Sequence, residues 1–197
     1  MEDTQHGRGF LHRLDIPTSG LVLLAKNHNA LYDLRLQLAI GDLQREYCVL
    51  AHGRWPGEAR KDLRSRVHWF GTGRQAGSII APAGRVALSK AKLLANGHQL
   101  AGQAVSLLAI QIVTGRQHQI RLQMAHVGHP AVTDKRYFSS VNCMLDMRWC
   151  RRNFLHRYRL AFFGARAREV EVIQPLPSDL QSSLLRISAA ASSIDTF

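Results

Sequence analysis

Two stretches of this chain gather side chains that can do chemistry. HRLDIPTSG, residues 12–20, sets Asp15 two places after Arg13, and TGRQHQIRLQMAHVGHP, residues 114–130, carries Arg116, His118, Arg121, His126 and His129. Both have apolar flanks, where an unpaired buried charge is costly, so these groups must be paired or used. A carboxylate kept ionised beside a guanidinium can act as a nucleophile, and Arg121 is the candidate partner of Asp15. The plain alternative is a structural ion pair. His118 and His126 would be the acid and base of a nuclease only if both converged on one phosphate, and no second partner accompanies them. His126 and His129 could suggest metal ligands, but without a further ligand cluster a structural role in the Gly-His-Pro context is preferred.

The elements that must position these groups follow from periodicity. GLVLLAK, residues 20–26, is short, apolar and bounded by a turn signal, which predicts a buried strand behind the Asp15 loop. Residues 28–40 place Leu31, Leu34 and Leu38 at helical spacing, with Asn27 or Asn29 able to cap the start and Gly41 the stop. Residues 45–53 read as a strand. Residues 54–84 mix charges with glycine and proline and predict loops and short strands more than a helix.

Strands are predicted over 86–94 and 104–113, then a helix carrying Ile120, Met124 and Val127 that stops at Gly128. Residues 154–163 and 169–174 predict two strands joined by GARAR, followed by a short helix that Ser178 could cap. The Ala/Ser-rich residues 188–197 are expected to fray. Hairpin-connected strands with a few helices imply an α+β fold, a single domain whose mixed, mostly antiparallel sheet is flanked by helices and loops.

Composition narrows the partners. Of 197 residues, 26 are Lys or Arg against 14 acidic, a net charge of +12, which points to a polyanion, nucleic acid ahead of acidic membrane. The basic residues are spread over 60–66, 116–121 and 148–159, so they form a folded basic surface and not a tail. Three cysteines without a CxxC pair argue against a disulfide framework or a cysteine zinc site and favour an intracellular protein. The first residues lack the apolar segment of a secretory signal, and no apolar run is long enough to span a bilayer. GxGxxG, Walker A and HExxH patterns are absent.

At these motifs the chain resembles the RluA-type pseudouridine synthases, which isomerise chosen uridines in RNA. Their HRLDxxTSGLLLLAK signature is similar to residues 12–26. Their K/R-x-Y strand motif is similar to Arg45-Glu46-Tyr47, their TGRTHQIRVHLAHxGHP to residues 114–130, and their last strands and closing helix to LHRYRLAFF and PLPSDL. The resemblance implies that Asp15 is the nucleophilic carboxylate, that Arg121 pairs with it, and that Tyr47 stacks on the uracil. It implies that Arg13 fills the place of a flipped base, and that Arg116 and His118 meet phosphate or hold their loop. It further implies a monomer acting on rRNA or tRNA without cofactor or metal, soluble and intracellular, in the cytoplasm before nucleus or organelle. Residues 1–187 would be the catalytic domain lacking its N-terminal part, and any targeting segment would lie upstream. The alternative is a catalytically silent RNA-binding relative.

The chain departs from the pattern in several places. It begins too late for the strand-rich stretch usual before HRLD, has Thr133-Asp134 where Gly-Asp is usual, and lacks the family's Gly-Ile loop in residues 54–84. No S4-like RNA-binding domain is present. Substrate choice would then rest with the catalytic domain or with upstream sequence.

Overall fold

A computed structural model describes residues 7–56, 60–71 and 77–189. Its elements in chain order are β1 (Ser19–Gly20), α1 (His28–Ile40), β2 (Gln44–His52), β3 (Arg60–Phe70), β4 (Gly77–Ile80), β5 (Arg85–Gln99), β6 (Ala104–Ile112), α2 (Gln119–His126), α3 (Ser140–Asp146), β7 (Leu155–Phe163), β8 (Glu169–Ile173), α4 (Ser178–Leu184) and β9 (Ile187–Ala189). The strands form one sheet in the order β1-β7-β2-β6-β5-β3-β4, with β8 on β7 and β9 on β5. All pairings are antiparallel except β1 with β7, which is parallel, so the α+β class with a mixed, mostly antiparallel sheet is observed. Among the described residues no helix is long and apolar enough to cross a membrane.

Burial follows from the pleat, which sends successive side chains to opposite faces. On what we call the front, Tyr47, Val49 and Ala51 of β2 pack with Leu108 and Ile110 of β6 and with Ile120 and Met124 of α2. On the back, Cys48 and Leu50 pack with Val105, Val132, Phe154 and Leu180. β2 is thus buried on both faces, as its apolar run requires. α2 is unusual in burying polar groups. Gln123 Nε2 donates to the carbonyls of Leu63 and Ala87, and its Oε1 accepts from Ser89 Oγ, which ties the helix to β3 and β5.

Local signals placed α1 as expected. Asn27 Oδ1 accepts from Ala30 N at 2.9 Å, and Gly41, at φ 92°, donates its N–H to Gln37 O. Four expectations need correction. Residues 20–26 are not a buried strand: only Ser19–Gly20 joins the sheet, and the run beyond lies along its edge, leaving Val22 and Leu24 exposed. Residues 54–84 contain an eleven-residue strand, β3, which buries only Leu63 and Val67 on its inward face and is otherwise largely exposed. Ser178 lies inside α4 with no side-chain cap bond, the cap being Pro177. Ser188, counted with the fraying end, pairs with His98 in β5, while residues 190–197 lie outside the described residues. α3 went unpredicted because Val141 and Met144 face solvent, and buried Asp146 anchors it by accepting from Thr133 N.

Candidate active site

The Asp15 loop is held from the far end of the chain. Thr18 N donates to Asp15 O at 2.8 Å, closing a tight turn. Beyond it, Gly20 lies against β7, where a Cβ would meet Arg157 O at 2.2 Å, so only glycine permits the parallel pairing. Ser19 Oγ is 2.9 Å from His156 Nδ1 and accepts from Arg152 Nη2 at 3.1 Å. Arg157 Nη1 donates to His12 Nδ1 at 2.7 Å and to Leu21 O at 2.9 Å, one partner before Asp15 and one after it. These clasps substitute for a strand through residues 20–26. They make the loop's placement depend on β7.

Asp15 faces a cleft of about 570 Å³ lined also by Arg13, Arg45, Tyr47, Arg116, Arg121 and Arg157. Its carboxylate makes no hydrogen bond among the described residues, so its lone pairs are open to the cleft. Arg121 Nη1 and His118 Nε2 each stand 3.8 Å from Asp15 Oδ2. The strong bonds of Arg121 go elsewhere: Nε and Nη2 each donate to Asp134 at 2.7 Å, a buried bidentate pair. Burial opposes both charges, but their mutual hydrogen bonds outweigh it, holding Arg121 above and Asp134 below their usual pKa values. Arg121 is aimed by Asp134 and touches Asp15 only with its remaining edge.

Tyr47 stands directly opposite Arg157 across β2 and β7, next to a register shift between Glu46 and Tyr47. Its hydroxyl accepts from Arg157 Nε at 2.8 Å and from Nη2. With its oxygen so occupied, the phenol has its proton to offer to the cleft. Arg13 is exposed at the rim, its guanidinium without a partner among the described residues. Arg116 Nε donates to Val86 O at 2.9 Å, and His118, at φ 54° before α2, has Nδ1 2.7 Å from Tyr137 Oη. Gln119 fixes the 114–119 loop: its Oε1 accepts from Arg116 N and Thr114 Oγ1.

The structure therefore brings Asp15, Tyr47, Arg121, Arg13, Arg116 and His118 to one cleft. Sequence reasoning missed Asp134 and Arg157 as site residues, although an arginine on the inward face of the apolar strand LHRYRLAFF, beside Arg159 on the other face, was a signal. Thr133 also holds a left-handed φ of 59°, where a β-branched residue is strained. Its N–H to Asp146 and its Oγ1 to Cys150 O anchor that conformation and set Asp134 beneath Arg121. Among the described residues no cluster of His, Cys, Asp or Glu could hold a metal ion.

Burial, with Arg157 and Arg45 nearby, lowers the pKa of His12 to about 3. Burial also lowers His118 and His156. Groups kept neutral in the fold but free to charge when unfolded stabilise it fully above the unfolded value, and that stability is lost as pH falls. For His12 the window runs from the ordinary histidine value of 6.5 down to about 3. We expect urea unfolding to show a fold weaker by about 2 kcal/mol at pH 5 than at pH 7 from His12 alone, and His12→Gln to flatten the profile by one proton. Equal stability at both pH values would refute this.

The family model described as RNA pseudouridylate synthase matches residues 2–126. Ribosomal large subunit pseudouridine synthase C of Buchnera aphidicola (from Schizaphis graminum) is 34% identical over 127 residues, 64% of this chain and 39% of that protein. An uncharacterized RNA pseudouridine synthase of Chloroflexus aurantiacus is 33% identical over 191 residues, 93% of this chain and 55% of its own length. Among solved structures, human RNA Pseudouridylate Synthase Domain Containing 1 superposes with a TM-score of 0.75 at 26% identity, covering 92% of this chain and 74% of that one. The chain spans about half the length, or less, of the curated relatives it matches.

Proposed function

Since the chain belongs to the RNA pseudouridylate synthase family, we propose that it isomerises uridine in structured RNA, ribosomal or transfer, to pseudouridine. One observation carries the reading: an Asp15 carboxylate with open lone pairs in a cleft that Tyr47 and five arginines also line. The reaction breaks the bond from N1 to C1′, turns the base and joins C5 to C1′. The proton on C5 leaves and N1 gains one, so atoms balance without a co-reactant. Asp15 stabilises or covalently traps the sugar or base between those steps. Arg121, aimed by Asp134, keeps it ionised and oriented. Tyr47 lies against the uracil with its proton available, and Arg13 at the rim takes the place of the flipped uridine. Arg116 and His118 hold the 114–119 loop or meet phosphate. On this reading the protein works as a cytoplasmic monomer, without metal or cofactor.

The test is to incubate the purified protein with unmodified rRNA and tRNA transcripts and map pseudouridine by adduct-dependent reverse-transcription stops. New stops at defined uridines are expected. Tight binding without a new stop would leave a silent RNA-binding relative and sink the isomerase.

Arg157 is a positioning residue in this scheme, because it holds the Tyr47 hydroxyl and both ends of the Asp15 loop. Arg157→Gln should lower kcat about 100-fold with a smaller change in KM. Adding Tyr47→Phe should cost little more, since both changes remove one shared hydrogen bond. Fully additive losses in that cycle would show that Arg157 does not act through Tyr47.

A further inference from the structure

The back of the sheet is covered only in part. Behind β2, β6 and β7 lies the core that contains Phe154 and Leu180. Behind β3 and β5, alternation turns Leu63, Val67, Ala87 and Ala91 to the front, and the opposite face stays in solvent. That face presents Arg60, Arg64 and Arg66 of β3 with Lys90 and Lys92 of β5, all exposed. Its acid, Asp62, is engaged by Arg64 at 3.4 Å. Among the described residues no acid stands within ion-pair distance of Arg60, Lys90 or Lys92, since Asp62, opposite Lys90 in the ladder, pairs with Arg64.

The strand register sharpens the point. Arg60 stands directly opposite Lys92, and like charges opposed across a ladder destabilise the pair. Beside them opens a groove of about 370 Å³, with Ala109 and Gln111 of β6 and Tyr158 among its lining residues. Glu46, on its other side, is spent on Arg159 and on the Tyr158 hydroxyl. The uncompensated charge in the groove is therefore positive. Cations two residues apart on a strand stand about 6.6 Å apart, and neighbouring strands about 4.8 Å. Such a grid suits a chain of phosphates better than a single small anion.

We propose that this face binds a second stretch of the substrate RNA through its phosphates, on the side of the sheet opposite Asp15. It cannot present the target uridine, so it contributes affinity for large RNA without reading sequence at the cleft. The inference rests on RNA being the substrate, and it deepens that reading by dividing RNA binding between two faces.

The test compares wild type with Arg60→Gln/Lys90→Gln/Lys92→Gln, three exposed changes away from the cleft. Binding to a long structured rRNA transcript and to a short hairpin that fills only the cleft is titrated against salt. For the long RNA, the slope of log K against log salt should fall by about 2 to 3 in the variant, following the loss of three phosphate contacts, and affinity at physiological salt should fall at least tenfold. The hairpin should bind and turn over unchanged. An unchanged slope on the long RNA, or an equal loss on the hairpin, would overturn the proposal. So would binding to phosphatidylglycerol vesicles that depends on these residues while RNA binding does not. Failure of the isomerase reading shows separately, as absent pseudouridine with both proteins while the slopes are still measured.

Discussion

Asp15→Asn protein should fold, bind RNA with wild-type affinity and convert uridine on the order of 10⁴-fold more slowly, or worse. The two halves of that result have different physical origins. The Asp15 carboxylate accepts no hydrogen bond within the described fold, and its nearest cations stand 3.8 Å away, so asparagine of equal size removes little stability. Arg121 keeps Asp134 and is not left as an uncompensated buried charge. What asparagine lacks is a negative charge able to meet a developing positive centre or to form a covalent bond, and a 10⁴-fold loss corresponds to about 5.4 kcal/mol of transition-state stabilisation. Single-turnover assays on a transcript with a mapped site, beside a thermal melt, check both halves. Residual turnover within tenfold of wild type would remove Asp15 from the reaction.

Asp134→Ala should do the reverse, unfolding the site before the chemistry can be assayed. Arg121 is 5% exposed and Asp134 1%, and truncating one partner leaves the other charged in a low-dielectric setting, a loss of about 3–5 kcal/mol. The Arg136 and Tyr137 amides would lose their acceptor as well. The double change Asp134→Ala/Arg121→Met should recover much of the lost stability while leaving the protein inactive, since the guanidinium that keeps Asp15 ionised is then gone. Urea denaturation of both variants decides it, and a single variant as stable as wild type would disprove the buried pair's importance. Because Asp134 titrates below its ordinary range in the fold, the pair's stability is present above the unfolded carboxylate value near 3.9 and is lost as pH falls through the lower folded value.

Elements with local causes were legible in the chain. α1 needs only its leucine spacing, an asparagine whose side chain can accept from the first turn, and a glycine that can turn left-handed. α2 ends before a glycine at φ 83° for the same reason. The misreadings share a cause too. An apolar run such as GLVLLAK predicts full burial only if a partner lies on both sides, and among the described residues Leu21, Leu23 and Ala25 find one while Val22 and Leu24 do not. β3 looks like a loop because its solvent face carries arginines where a half-buried strand more often shows threonine or tyrosine. Its buried residues, Leu63 and Val67, are four apart and give no period-2 signal on their own.

The sequence by itself determined which groups are available, namely the Asp15 loop, the arginine and histidine of the 114–130 stretch, Tyr47 in a strand, and a charge that calls for a polyanion. Those follow from residue types and short-range spacing. Only the tertiary structure decided which charges meet. The nearest acid to Arg121 in geometry is Asp134, brought up by a strained Thr133, and the residue that clasps Tyr47 and the Asp15 loop is Arg157, supplied by β7. Partner choice among buried charges is set by packing across the sheet and by desolvation, and neither is written in local spacing.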